Sequence, residues 1–215
     1  MALDLEEQEQ VAELKAWWKQ HGSLITAVIV AAALGFSGWQ GWRMWQQNQA
    51  ANAAGLYDTL ARAADAGDGK TLRDAGGTLI ESYPRTLYAT MGALTAARFH
   101  FDRNDLKTAK VQLQWVVDNA PSEEMRDLGR LRLAAVLLDE KGHDEALKLL
   151  NAPHAPSFEA QYAALRGDVL VAKNQAADAR AAYKLALEKA GKQDNAFRET
   201  VRMRMDALGG SDGGG

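Results

Sequence analysis

The stretch ALRGDVLVAKNQAADARAAYKLALEKAG, residues 164–191, decides the fold of this 215-residue chain. Two segments rich in alanine and leucine, residues that favour helix, flank a short polar turn that begins at Asn174. Gly167 permits close packing in the first segment, and Ala179 and Tyr183 lie at helical spacing in the second. The stretch therefore predicts a helix, a turn and a second helix whose inner face packs on the first.

The same pattern occurs twice more towards the N-terminus. One copy runs over residues 93–121 with Asn104 in its turn, and the other over residues 131–153 with Gly142 as its turn. Helix-favouring residues dominate the composition and the chain has only 4 prolines. These observations predict an all-α protein built from helical hairpins.

The spacing of the hairpins predicts a repeat architecture. The small residues expected where paired helices cross, Ala109, Ala146 and Ala179, are 37 and 33 residues apart, close to the ~34-residue period of tetratricopeptide (TPR) repeats. The tryptophan that often opens such a unit is absent, so the repeats are degenerate. Residues 48–84 resemble a poorer first unit, and residues 194–208 predict a terminal capping helix. We therefore expect a TPR-like helical-repeat solenoid.

An uncharged segment, SLITAVIVAAALGFSGWQGW at residues 23–42, precedes the repeats. As a helix it spans roughly 30 Å, the thickness of the hydrocarbon core of a lipid bilayer. Tryptophans, which favour the membrane interface, flank both edges of the segment: Trp17, Trp18, Trp39, Trp42 and Trp45. The segment predicts an N-terminal transmembrane helix, a signal-anchor over residues 23–43.

A cleaved signal peptide is the alternative, since Ala51-Asn52-Ala53 loosely matches a cleavage site. More than twenty residues of acidic sequence precede the apolar segment, where a signal peptide has a short basic region, and this favours an uncleaved anchor. Lys15 and Lys19 precede the span while only Arg43 follows closely, so the positive-inside bias favours a cytoplasmic N-terminus by one charge.

Four segments follow from this pattern. We expect a cytoplasmic tail at 1–22, the anchor at 23–43, a TPR-like domain beyond the membrane at 44–208, and a flexible Gly-rich tail at 209–215. The N-terminal tail has an apolar stripe opposite an acidic face. It is either a helix at the membrane surface or a docking helix for a cytosolic partner.

Stacked helical hairpins form a concave surface lined by the first helix of each unit, the usual binding surface of such solenoids. On this pattern Arg98, Phe101, Arg132 and Asp168 are expected to face the groove. The alternative is that each is an ordinary exposed or half-buried helix residue.

Several function classes are disfavoured by composition. The net charge is −3, which argues against nucleic-acid binding. There are no cysteines, and the 4 histidines are scattered without metal-ligand spacing. The glycines near residue 70 lack the pattern of a phosphate loop. The sequence predicts no catalytic, cofactor or metal site and no small-molecule substrate; it predicts a protein that binds other proteins.

From about residue 6 to residue 208, nearly its whole length, the chain also resembles the YfgM family, the ancillary subunits of the bacterial SecYEG translocon. The resemblance is carried by the tail and by the junction Gly-Trp-Arg-x-Trp after the span, and it extends into the repeats around the Leu-Arg-Gly segment at 165–167. The matching residues are Glu9, Gln10, Val11, Leu14, Lys15, Trp17, Trp18 and Gly22, then Gly41, Trp42, Arg43 and Trp45.

The resemblance implies a single-pass protein of the bacterial inner membrane, with a cytoplasmic N-terminus and a periplasmic TPR domain. It implies three kinds of partner: the SecYEG translocon, the periplasmic chaperone PpiD, and unfolded, newly translocated clients. An adaptor or chaperone partner in protein translocation is therefore the leading hypothesis. A scaffold of the cell envelope and a stress-response regulator that works through its N-terminal tail are the alternatives.

Overall fold

The computed structural model describes residues 3–209, and over that range the chain forms helices and turns but no strand. The prediction of an all-α fold is confirmed. The helices are α1 (Leu3–Ala66), α2 (Gly69–Ser82), α3 (Leu87–Phe101), α4 (Leu106–Asn119), α5 (Glu123–Asp139), α6 (His143–Leu150), α7 (Glu159–Ala172), α8 (Ala176–Lys189) and α9 (Asn195–Asp206), with a short 3-10 helix at Pro156–Phe158. The chain divides into two compact units, one ending at Gln49 and the other beginning at Ala50. The predicted flexible tail, apart from Gly209, lies outside the described residues.

The first unit contains the apolar segment as part of α1. Its most apolar window has a mean hydropathy of 1.7 and is only 6% buried, so protein does not cover it as it would cover a core helix. The Thr26 hydroxyl donates to the Gly22 carbonyl at 2.8 Å, which satisfies this polar group within the helix. The Arg43 guanidinium lies 5.6 Å from the centre of the Trp39 ring at the end of the apolar segment. By length and composition, α1 contains a candidate membrane span.

Four turns of one geometry organise the second unit. The turn residues Gly67, Asn104, Lys141 and Asn174 all have positive φ. The N–H of the residue after each one donates to a carbonyl five positions earlier in the preceding helix, at 2.8–2.9 Å, which is the bonding pattern of a Schellman helix end. The first three turns are 37 residues apart and the fourth follows after 33. The predicted helical repeats are therefore present, in four copies.

The third turn corrects one detail of the prediction. The sequence indicates Gly142 as its turn residue, whereas the structure has Lys141 in the left-handed region with φ 64° and Gly142 at φ −80°. The Gly142 N–H donates to the Leu137 carbonyl at 2.8 Å. The glycine thus stands one position beyond the site where its conformational freedom is needed.

The helix pairs pack as the sequence predicts. The crossing residues Ala109, Ala146 and Ala179 are fully buried. A Cβ added at Gly167 would lie 2.4 Å from Cε1 of Tyr183. Because real Cβ contacts are essentially never that short, α7 and α8 approach each other as closely as they do only because residue 167 is glycine.

The connection between α6 and α7, which joins the third and fourth hairpins, departs from the repeat pattern. Helix α6 has 8 residues, whereas α4 and α8 have 14 each. Twelve residues before the turn residue, the second and third units have Gly92 and Gly129, where an added Cβ would meet a side chain of the preceding helix at 2.8 and 2.7 Å. The fourth unit has the fully buried Tyr162 at that position. The early end of α6 at Leu150 leaves room for this ring.

Helix α9 closes the array, as predicted. Val201 is 1% exposed, and it packs with Phe197, Met205 and Leu208 against buried residues of α7 and α8. The helix thereby covers the apolar face that the last hairpin would otherwise leave open.

Candidate partner-binding groove

Three of the four side chains predicted to face a groove lie around one cavity. Arg98 and Phe101 extend from α3, and Arg132 extends from α5. The cavity has a volume of about 220 Å³ and is lined by Leu94, Ala97, Arg98, Phe101, Leu113, Arg132, Ala135 and Val136. Phe101 is 39% exposed, so an aromatic ring is available to a partner at the edge of an apolar floor.

The charged side chains that line this cavity, Arg98 and Arg132, are both positive. Arg98 Nε lies 3.7 Å from an Asp102 carboxylate oxygen, but the Arg98 side chain is 79% exposed, and exposed pairs of this kind contribute little energy. Arg132 has no ion-pair partner within residues 10–209. The lining of the cavity thus contains two guanidinium groups and no carboxylate.

A second cavity adjoins the first. It has a volume of about 640 Å³ and is lined by residues of α1, α3 and α5, among them Asp65, and by Asp102 and Arg103 in the turn after α3. Leu94, Arg98 and Arg132 line both cavities. The two cavities together therefore form one continuous depression across the first helices of three successive units, hereafter the central groove.

Asp168, the fourth predicted groove residue, lies elsewhere. It stands six residues before its turn residue, as Arg98 does in the second unit. Its Oδ1 accepts a hydrogen bond from the Tyr183 hydroxyl at 2.8 Å, and its Oδ2 accepts one from Nη1 of Arg204 at 2.5 Å. Burial raises the pKa of Asp168 above its ordinary value, against the opposing effects of Tyr183 and Arg204. Asp168 therefore belongs to an internal network that joins α7, α8 and α9.

A second internal network surrounds a buried carboxylate that the sequence pattern does not single out. Asp127 is 0% exposed. One of its oxygens lies 2.8 Å from Nη1 of Arg130, and the other accepts the Ala155 N–H at 2.8 Å. The Tyr162 hydroxyl donates to the Asp127 main-chain carbonyl at 2.8 Å, and burial raises the pKa of Tyr162 to about 12. Because these groups are paired with one another, they stabilise the connection between α6 and α7.

The apolar lining of the central groove was not predicted residue by residue, although a signal for it exists. Ala135 stands six residues before the turn residue Lys141, as Arg98 stands six before Asn104. Aligning the units on their turn residues gives Ala135 the repeat position of Arg98, and both residues line the smaller cavity, whereas Asp168 at the same position does not. Elsewhere in the described part of the chain, no three His, Cys, Asp or Glu side chains come close enough to hold a metal ion.

Comparison with protein families gives one match over nearly the whole chain. The family described as a tetratricopeptide repeat-like domain matches residues 15–210. No solved structure matches the chain.

Similar curated proteins also align with nearly the whole chain. A protein of Neisseria gonorrhoeae named ancillary SecYEG translocon subunit is 33% identical over 97% of this chain and 100% of its own length. A protein of the same name from Haemophilus influenzae is also 33% identical, over 97% of this chain and 100% of its own. Another from Escherichia coli is 26% identical, over 94% of this chain and 96% of its own.

Proposed function

The chain belongs to the tetratricopeptide repeat-like domain family and is 33% identical to two proteins named ancillary SecYEG translocon subunit, and from that premise we propose that it is a membrane-anchored adaptor of the Sec translocon. The observation that carries the proposal is the central groove, a depression with an apolar floor in its smaller cavity that extends over the first helices of three repeat units. Concave surfaces of this kind hold polypeptide segments. The adaptor acts by binding, without a chemical step.

The finer proposal concerns what the groove binds. The adaptor holds or transfers unfolded, newly translocated proteins, and it does so together with the periplasmic chaperone PpiD. Support comes from the family resemblance of the tail and junction, and from an exposed aromatic ring, Phe101, beside an apolar floor. Such a ring provides a large apolar contact at small entropic cost, because it has few rotatable bonds.

The proposed location is the bacterial inner membrane, crossed once by α1. The N-terminus is cytoplasmic and the repeat domain periplasmic, since Lys15 and Lys19 precede the apolar segment while Arg43 alone follows it closely. This orientation brings the groove to the side on which translocated chains emerge.

Site-directed photocrosslinking in native membranes tests the adaptor function. A crosslinking amino acid at position 101 is expected to capture SecYEG subunits, PpiD or nascent envelope proteins. The same amino acid at Val111, which is 61% exposed on α4 and does not line the central groove, serves as the control. Recovery of cell-division or cell-wall proteins in place of the translocon would favour the envelope-scaffold alternative and contradict the proposal.

Protease added to spheroplasts tests the orientation separately. The repeat domain is expected to be digested, and an epitope placed before Lys15 is expected to survive. Protection of the repeat domain in intact spheroplasts, followed by digestion after lysis, would overturn the proposed topology.

Deleting residues 1–18 separates the adaptor from a regulator that works through its tail. Retained translocon association and client crosslinking are expected of the adaptor. Loss of both, with the shortened protein still in the membrane and its repeat domain still digested in spheroplasts, would favour the regulator.

A further inference from the structure

The central groove has a chemical selectivity that the adaptor function does not specify. Its smaller cavity, with a volume of about 220 Å³, lies below the ~300–1,000 Å³ range of small-molecule sites. The floor is apolar, formed by Leu94, Ala97, Leu113 and Val136. A cavity of this size and lining suits one large apolar side chain of a polypeptide.

The rim of the cavity adds a charge preference. Arg98 and Arg132 are its only charged lining residues, although the chain as a whole has 28 acidic and 25 basic residues. Arg132 has no ion-pair partner in the described range, and the Asp102 contact of Arg98 is long and exposed. Guanidinium groups form their strongest hydrogen bonds with carboxylates. The rim is therefore complementary to an anionic group.

The position of the arginines indicates which part of a polypeptide binds there. Both arginines line the smaller and the larger cavity, so they stand along the groove and not at an end of it. A segment that passes the arginines continues in both directions. Its carboxylates then belong to aspartate or glutamate side chains within the chain, and not to a C-terminus.

We propose that the smaller cavity of the central groove, with the two arginines on its rim, selects internal polypeptide segments in which a large apolar side chain is flanked by acidic side chains. The apolar side chain enters the cavity between α3 and α5, and the acidic side chains contact Arg98 and Arg132. This inference rests on the proposed adaptor function and adds the class of segment that the groove accepts.

Fluorescence anisotropy with the full chain in detergent micelles tests the selectivity. The probe is a labelled peptide of about twelve residues, acetylated and amidated, with a central Leu-Phe pair flanked on each side by two glutamates. The comparison peptides replace the glutamates by glutamines or by lysines, replace Leu-Phe by two alanines, or end in a free carboxylate directly after the Phe. We expect the glutamate peptide to bind about tenfold more tightly than the glutamine peptide, and its binding to weaken as salt rises above about 0.15 M.

Variants of the chain complete the test. Arg98→Gln together with Arg132→Gln is expected to remove the tenfold preference, whereas Arg73→Gln, on the exposed surface of α2, is expected to keep it. Arg98→Glu with Arg132→Glu is expected to reverse the preference towards the lysine peptide. A structural role of the arginines would not produce that reversal. Circular dichroism melts confirm that each variant is folded.

Three results overturn the proposal: equal binding of the glutamate and glutamine peptides, preference of the unaltered chain for the lysine peptide, or binding confined to the peptide with the free carboxylate. In parallel, the chain is purified from membranes in the same detergent, and the amount of SecYEG that co-purifies with it is measured. Recovery of the translocon without the peptide preference refutes this inference alone. Absence of the translocon refutes the adaptor function whatever the peptide result.

Discussion

Lys141 adopts a backbone conformation that suits another residue better. At φ 64° its Cβ is strained by roughly 1–2 kcal/mol, whereas glycine adopts this conformation freely. We expect Lys141→Gly to raise the free energy of unfolding by about 0.5–1 kcal/mol, because the relieved strain exceeds the added entropy of the unfolded chain. Urea unfolding of the full chain in detergent, followed by circular dichroism of the repeat domain, measures the difference.

Lys107→Gly provides the matched control for that substitution. Lys107 is exposed in the first turn of α4, where glycine is expected to destabilise by up to about 1 kcal/mol. Similar changes at the two positions would show that the left-handed conformation of Lys141 does not matter.

Asp105 predicts a dependence of stability on acid. Hydrogen bonds from the side chain and N–H of Thr108, followed by the contact with His100, hold the pKa of Asp105 below its ordinary value of 3.8. Because the carboxyl has a lower pKa in the folded state than in the unfolded state, it stabilises the folded state at pH values above the unfolded-state pKa. That contribution is lost as the pH falls below about 3.8. Asp105→Asn, which still caps α4 but does not titrate, is expected to flatten the stability profile below that pH.

The free energy of unfolding measured between about pH 5 and pH 2 tests this expectation. Asp139→Asn, which removes an exposed carboxylate that caps no helix, is the reference. The explanation fails if the Asp139 variant flattens the profile as much as the Asp105 variant does.

At the scale of elements, the contact between α7 and α8 depends on one missing methyl group. Gly167→Ala would place a Cβ 2.4 Å from the Tyr183 ring. Tyr183 cannot easily give way, because it is 2% exposed and its hydroxyl is bonded to Asp168. We therefore expect Gly167→Ala to lower the free energy of unfolding by about 1–3 kcal/mol. Thermal melts of both proteins test this.

Gly77→Ala is the control for the helix contact. No side chain lies within 4 Å of the position where its Cβ would be. The same substitution there is expected to stabilise α2 by up to about 1 kcal/mol through helix propensity. A loss of stability at both positions would indicate that the close approach of α7 and α8 is not the cause.

The elements also show how far the sequence predicts the fold. The hairpins, the crossing alanines and the capping helix follow from local periodicity, because each depends on residues within one or two helices. The short length of α6 does not follow from local periodicity. Tyr162 packs in its place and bonds to Asp127, which is 35 residues away in the sequence. The left-handed conformation of Lys141 is not predicted either, because glycine usually adopts that conformation and the adjacent Gly142 is therefore the expected turn residue.

The whole domain depends on its last helix. Val201 and its neighbours cover buried residues of α7 and α8, and Arg204 pairs with Asp168. In a stacked array each unit is stabilised by its neighbours. A chain that ends after Gly191 is therefore expected to unfold at lower temperature, and the loss is expected to be largest in α7 and α8.

Hydrogen exchange of the truncated chain locates that loss. Amides of α7 and α8 are expected to exchange faster, while amides of α2 and α3 change least because they lie furthest along the array from α9. Val201→Ala tests the same contact without removing residues and is expected to shift exchange in the same helices by a smaller amount. Uniformly faster exchange throughout the domain would contradict stabilisation by neighbouring units.

The candidate site also shows that a local sequence pattern does not predict contacts between residues distant in the chain. Arg98, Phe101 and Arg132 come together because they belong to adjacent units, and the repeat alone predicts that. Asp168 occupies the same repeat position as Arg98 but is held by Arg204, which is 36 residues further along the chain. A repeat pattern predicts the position of a side chain within its unit, but it does not predict a hydrogen bond or ion pair with a residue far away in the sequence.

The absence of strands from residues 3–209 has a consequence for the proposed binding of unfolded chains. An exposed sheet edge offers a row of unpaired N–H and C=O groups that can template aggregation. In this domain the helices use those groups internally, so an extended chain finds no ladder to join. A segment bound as proposed is therefore held through side-chain contacts, and the domain offers it no sheet edge on which to aggregate.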